Sequence, residues 1–106
     1  MVIKILTLLL ITFLSFNVYA ERSHIELAIQ YSEAALYAKD EKSLVEHAQE
    51  AKIHANAAKN EKVDNKHLLK GIERLDNAGR EAQAGKMNAA TKAAKAALDH
   101  FKLSTR

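Results

Sequence analysis

From residue 24 onward, small and apolar residues recur at spacings of three and four. Ile25, Ile29, Ser32 and Leu36 form one such series, widened by Ala28 and Ala35. Leu44, Ala48, Ala51, Ala55 and Ala58 form a second, and Leu68, Ile72, Leu75, Gly79 and Ala82 a third. Met87, Ala90, Ala94, Ala97 and Phe101 form a fourth. Each series traces one stripe of an α-helix, with Lys, Glu, Asn and Gln on the remaining surface.

Local signals bound the helices. Ser23-His24-Ile25-Glu26 has the form of a capping box and predicts a first helix over about 24–39. Ser43-Leu44-Val45-Glu46 is a second box, although Asp40 could equally cap a helix that runs to about Lys59. Asp64 or Asn65 caps a third helix over about 66–84, and Gly85 stops it. A fourth runs from Met87 or Asn88 to Leu103. Short turns make successive helices antiparallel. The first pair of helices resembles the second, as an internal repeat. The expected fold is all-α: an up-down-up-down four-helix bundle made of two repeated αα-hairpins. Its core is thin, because alanine lets helices approach closely but buries little area per residue. Gly79, placed on the buried stripe, predicts a close neighbour.

Residues 1–20 stand apart from this pattern. Lys4 precedes an apolar run, Ile5 to Phe16, and Val18-Tyr19-Ala20 ends it with Val at −3 and Ala at −1. That is the form of a signal peptide cleaved after Ala20, and the run is short for a membrane span. The expected organisation is a leader over 1–20 and one bundle domain over 21–106, exported to the periplasm, with membrane contact only through the leader.

The formal charge is +3, and +2 once Lys4 leaves with the leader, too balanced to indicate nucleic acid. There is no Cys, so neither disulfides nor thiolate metal sites are available. No nucleophile–base arrangement, phosphate loop or cofactor motif is present, and an alanine core offers little pocket, so an enzyme is not expected. The Glu-x-x-His spacing of di-iron bundles occurs only at Glu21–His24, beside the expected cleavage site.

The chemistry lies in five histidines: His24, His47, His54, His67 and His100. Each falls on the flank of its apolar stripe. His47, Glu50 and His54 share one flank of the second helix at spacings of three and four. The two imidazoles are about 10 Å apart along the axis, awkward for one ion between them. Glu50 is within reach of either, and carboxylate plus imidazole is a half-site for a borderline divalent ion such as Cu(II), Ni(II) or Zn(II). Further ligands would come from neighbouring helices or water.

In this layout the chain resembles the small metal-binding protein family of exported, His-rich four-helix bundles. The resemblance rests on His24-Ile25, on Glu46-His47-Ala48-Gln49-Glu50-Ala51, on His54-Ala55-Asn56-Ala57-Ala58 and on Asn65-Lys66-His67. It continues through Gly71-Ile72-Glu73, Ala90-Thr91-Lys92-Ala93 and Leu98-Asp99-His100. It implies binding of divalent transition metals, copper foremost, through histidines spread along the helices, for buffering or sequestration without catalysis. Tyr31, Tyr37, Lys70, Arg74, Lys86 and Ala93 stand where the pattern leads one to expect further histidines.

Two functions follow. The first is an exported monomer that binds Cu, Ni or Zn, with His47 and His54 as principal ligands, Glu50 assisting, and His24, His67 and His100 next. The alternative is a helical protein- or membrane-interaction module that keeps the scaffold without its ligands, using exposed alanines and the basic stretch from Lys86 to Lys102.

Overall fold

The computed structural model describes residues 22–106. The expected leader and its cleavage site lie outside the described residues. Four helices follow in order: α1, His24–Leu36; α2, Glu41–Ala57; α3, Asn65–Gln83; and α4, Met87–Ser104. A 3-10 turn, Ala58–Asn60, extends α2. Among the described residues there is no strand, and no helix is long and apolar enough to cross a membrane.

Each helix packs against its neighbours in sequence, and α1 packs against α4 to close the ring. The contacts are most extensive within α1–α2 and within α3–α4. The molecule is therefore the expected four-helix bundle, assembled from two αα-hairpins.

Capping side chains decide where the helices begin. The Ser23 hydroxyl accepts the Glu26 N–H at 3.2 Å, as the first capping signal implies. At α2 the competing signals resolve in favour of Asp40. Its carboxylate takes the Ser43 N–H at 2.7 Å, so Ser43 lies inside the helix. Asp64 caps α3 through the Lys66 N–H. Gly85 follows α3 with φ of 78°, the left-handed conformation that glycine adopts without a Cβ penalty. The first helix ends at Leu36, three residues short of expectation, with Tyr37 as its C-cap.

The buried stripes match the sequence closely on α2 and α4 and are rotated on α1 and α3. Leu44, Ala48, Ala51, Ala55 and Ala58 are all buried, as are Ala90, Ala94, Ala97 and Phe101. On α1 the buried set is Ile25, Ala28, Ser32 and Ala35, leaving Ile29 and Leu36 half-buried. On α3 it is Leu68, Gly71, Leu75, Ala78 and Ala82, leaving Ile72 and Gly79 half-buried. At 28/29, 35/36 and 71/72 the smaller residue of each adjacent pair lies inside, whereas at 78/79 Ala78 is buried and Gly79 is not. Bundle helices with alanine facing them approach too closely to seat a second row of Ile.

This rotation corrects the expectation for Gly79. A Cβ built there meets nothing within 4 Å. The close approach is instead at Gly71, where a Cβ would overlap the ring of Phe101. Phe101 is the largest fully buried side chain, and Gly71 makes the space it occupies.

The core divides along the bundle. One cluster gathers Ile25, Leu68, Leu75 and Phe101 with Ala28, Ala51 and Ala55, toward the start of α1 and the end of α4. The other gathers Leu44 with Ala35, Ala78, Ala82, Ala90 and Ala94 near the two hairpin turns. The larger side chains thus support the end at which α1 and α3 begin and α2 and α4 finish.

Candidate metal centre

Four of the five histidines meet at that end, and they meet in pairs across helices. His24, the first residue of α1, sets its Nδ1 3.1 Å from Nδ1 of His54, in the last turn of α2. His67, in the first turn of α3, sets its Nδ1 3.3 Å from Nδ1 of His100, near the end of α4. The ring centroids lie 5.4 and 5.5 Å apart, with interplanar angles of 25° and 27°. The two hairpins therefore repeat one construction. An antiparallel turn brings a histidine early in one helix against a histidine late in the next.

The spacing suits chelation. Two imidazole nitrogens about 2.0–2.1 Å from one ion lie about 2.9 Å apart at a right angle and about 3.3 Å apart at the tetrahedral angle. Both pairs fall within that span. In the metal-free state, one Nδ1–H can donate to the other's lone pair, which holds the rings together while at most one Nδ1 is protonated. An ion held by such a pair would take both Nδ1 lone pairs, which would leave each proton on Nε2.

The set along α2 is not gathered in this way. Glu50 is exposed, and His47 turns toward Tyr31 at a centroid distance of 6.4 Å. Tyr31 also stacks on His54, at 5.6 Å and 2°. His24, His54, Tyr31 and His47 thus form a run of rings between α1 and α2. Among the described residues, no group of three or more His, Cys, Asp or Glu side chains converges as a cage for an ion. Each pair supplies two donors, and further ligands would have to come from outside the pair.

The two pairs differ in their surroundings. Burial pushes the His100 imidazole below its ordinary value of 6.5, and His67, Lys70 and Arg74 push it further in the same direction. Asp99 acts weakly against them. Arg74 stands seven residues after His67, as Tyr31 stands seven after His24. Ala93 stands seven before His100, as His47 stands seven before His54. The second hairpin thus repeats the pair but replaces the flanking Tyr and His by a cation and a methyl group.

A groove on the molecule lies away from both pairs. About 390 Å³ in volume, it lies between α2 and α3 and is lined by Val45, Ala48, Leu75 and Gly79, with no histidine. Lys52 and Asp76 bridge it at 2.7 Å, a solvent-screened ion pair of small energetic consequence.

The model of the small metal-binding protein family matches residues 1–104. The chain belongs to that family. The match covers the described bundle except Thr105 and Arg106, and includes all five histidines. No curated relative matches the chain. Family membership makes metal ions the partner class.

The histidines themselves were visible in the sequence, but the pairing between helices was not read from it. One signal was available. His24 precedes the turn at 37–40 by nearly the distance at which His54 follows it, and a hairpin superposes such positions. Tyr31, expected only as a missing histidine, stacks on His54 and His47. Glu61, whose carboxylate accepts the His24 and Ile25 N–H groups, carried no sequence signal at all.

Proposed function

We propose that the protein binds Cu(II), Ni(II) or Zn(II) at two bidentate sites, His24/His54 and His67/His100, and acts as a buffer or sequestering agent without catalysis. The observation that carries this reading is the Nδ1–Nδ1 separation of 3.1 and 3.3 Å, which matches the bite of one ion on two imidazoles. The two-donor sphere supports a buffering role, because open positions allow an ion to exchange with other ligands. Neutral imidazole donors, with no oxygen cage among the described residues, favour these metals over Ca²⁺ or Mg²⁺. His47 and Glu50 serve the first site as neighbours of His54, a lesser role than the sequence assigned them.

The apolar run before Ala20 supports export, with the monomeric bundle acting in the periplasm. A mass of the exported chain beginning at Glu21 is the expected result, and a full-length mass would refute cleavage.

The direct test is a Ni(II) titration of the purified protein by calorimetry at pH 7.5. Two ions per chain are expected, with affinity falling as pH drops through about 6.5 and protons compete for the rings. A linear, unsaturable response would instead favour the interaction module that has lost its ligands.

A further inference from the structure

The N-terminus of an α-helix leaves its first N–H groups without partners inside the helix. In α1 three of these donors, on His24, Ile25 and Glu26, are taken. The Ser23 hydroxyl accepts the Glu26 N–H. The other two, on His24 and Ile25, donate to one carboxylate from the far side of the hairpin. The His24 N–H reaches Glu61 Oε2 at 2.8 Å, and the Ile25 N–H reaches Glu61 Oε1 at 3.0 Å.

Glu61 belongs to neither helix. It follows the 3-10 turn that ends α2, and its own N–H is tied to the Ala58 carbonyl at 2.9 Å. The Val63 N–H returns to the Glu61 carbonyl at 2.9 Å. The backbone at Glu61 is thus held against the end of α2, seven residues beyond His54, and its side chain is half-buried. A carboxylate at a helix N-terminus also meets the positive end of the helix dipole, so the contact is charge-assisted on both oxygens.

From this geometry we infer that Glu61 is the positioning residue of the first metal site: it clasps the first turn of α1 to the end of α2 and so sets the His24–His54 separation. The inference rests on the proposed metal-binding reading for its functional consequence, but not for its structural one. Glu61 is not itself a ligand, because both oxygens are engaged by backbone N–H groups and no three-residue cage is present among the described residues.

The need for such a clasp follows from where His24 sits. It is the first residue of its helix, in the turn most prone to fray. A bidentate site loses its bite if either ring moves by an ångström or so. The second pair is secured differently. Asp64 donates its backbone N–H to the Ser104 carbonyl at 2.8 Å, joining the start of α3 to the end of α4 without any side-chain carboxylate across the hairpin. Loss of Glu61 should therefore affect one pair and spare the other.

The experiment compares Glu61→Ala and Glu61→Gln with the parent protein in two readouts. The first is structural and needs no metal: nuclear Overhauser contacts between the rings of His24 and His54, with His67–His100 contacts as the control for a folded bundle. Glu61→Ala should abolish the first contact, raise amide exchange at Ile25 and keep the second contact. Glu61→Gln, with one acceptor oxygen left, should fall between. The second readout is Ni(II) affinity in a His67→Ala/His100→Ala background, which isolates the first pair, and in a His24→Ala/His54→Ala background, which isolates the second. Glu61→Ala should weaken the first pair roughly tenfold and leave the second unchanged. Intact His24–His54 contacts in Glu61→Ala, or equal losses at both pairs, would overturn the inference. If the parent bound no Ni(II), the metal-binding reading would fail, while the ring contacts would still decide the structural role of Glu61.

Discussion

The phenol ring of Tyr31 lies parallel to the imidazole of His54, with an interplanar angle of 2° and a centroid separation of 5.6 Å. The same imidazole holds its Nδ1 3.1 Å from His24. A fluorophore is thus stacked directly on one half of the first proposed site. Cu(II) bound there should quench Tyr31 emission strongly, whereas Tyr37, 72% exposed on the C-cap of α1, is removed from both pairs. The expected outcome in a fluorescence titration is that Tyr31→Phe removes most of the Cu(II)-dependent quenching and Tyr37→Phe leaves it. Equal quenching in both variants would place the ion elsewhere.

Arg74 and Lys70 give the second pair its opposite character. The cations that depress the His100 pKa also repel a divalent ion, and they act more strongly on two charges than on one. His67/His100 should therefore be the weaker site. Arg74→Gln should tighten its Ni(II) binding several-fold and raise the His100 titration midpoint, both readable by NMR. A midpoint unmoved by the substitution would remove Arg74 from the causes and leave burial, His67 and Lys70.

His100 also links stability to pH. Its folded pKa is lowered, so between that value and about 6.5 the unfolded chain binds more protons than the bundle. The stability it contributes is present above pH 6.5 and is lost as pH falls through the folded value. Asp40 acts in a lower window. The Ser43 backbone N–H, and after it further bonding to Ser43, hold its carboxylate below 3.8, so that contribution is lost only as pH falls beneath that value. Urea midpoints measured against pH should show the higher step vanish in His100→Ala and the lower one flatten in Asp40→Asn.

The glycines separate space from conformation. Gly79 is helical, with nothing within 4 Å of a Cβ, so Gly79→Ala should stabilise the bundle by about 1 kcal/mol. Gly71→Ala drives a methyl into the Phe101 ring and should destabilise by about 1–3 kcal/mol. Ser32→Ala removes a fully buried hydroxyl that has no hydrogen-bond partner, and should be neutral or stabilising by about 1 kcal/mol. Thermal melts of the three variants check the signs, and a stabilised Gly71→Ala would contradict the packing described.

Helix number, order and antiparallel pairing could be read from spacing and caps, because amphipathic period and capping chemistry are local. The rotation of α1 and α3 about their axes could not. Ile29 against Ala28, or Gly79 against Ala78, is decided by how near the facing helix comes, and that depends on the alanines and Phe101 of other segments. The site divides in the same way. The residue types pointed to metal coordination, and spacing along α2 made one ion between His47 and His54 unattractive. Partner choice lay in the hairpin geometry, which set His24 on His54 and left Glu50 in solvent. The Glu61 clasp joins residues 36 and 37 positions apart, beyond the reach of any local pattern.

The central claim is that ions bind across the hairpins and not along α2. The most direct measurement is calorimetric Ni(II) titration at pH 7.5 of the parent, of His24→Ala/His67→Ala, and of His47→Ala/Glu50→Ala. Cross-helix chelation gives two saturable sites in the parent, loss of both in His24→Ala/His67→Ala, and near-parent binding in His47→Ala/Glu50→Ala. Retention of binding in the first variant with loss in the second would contradict the account and return the site to the flank of α2.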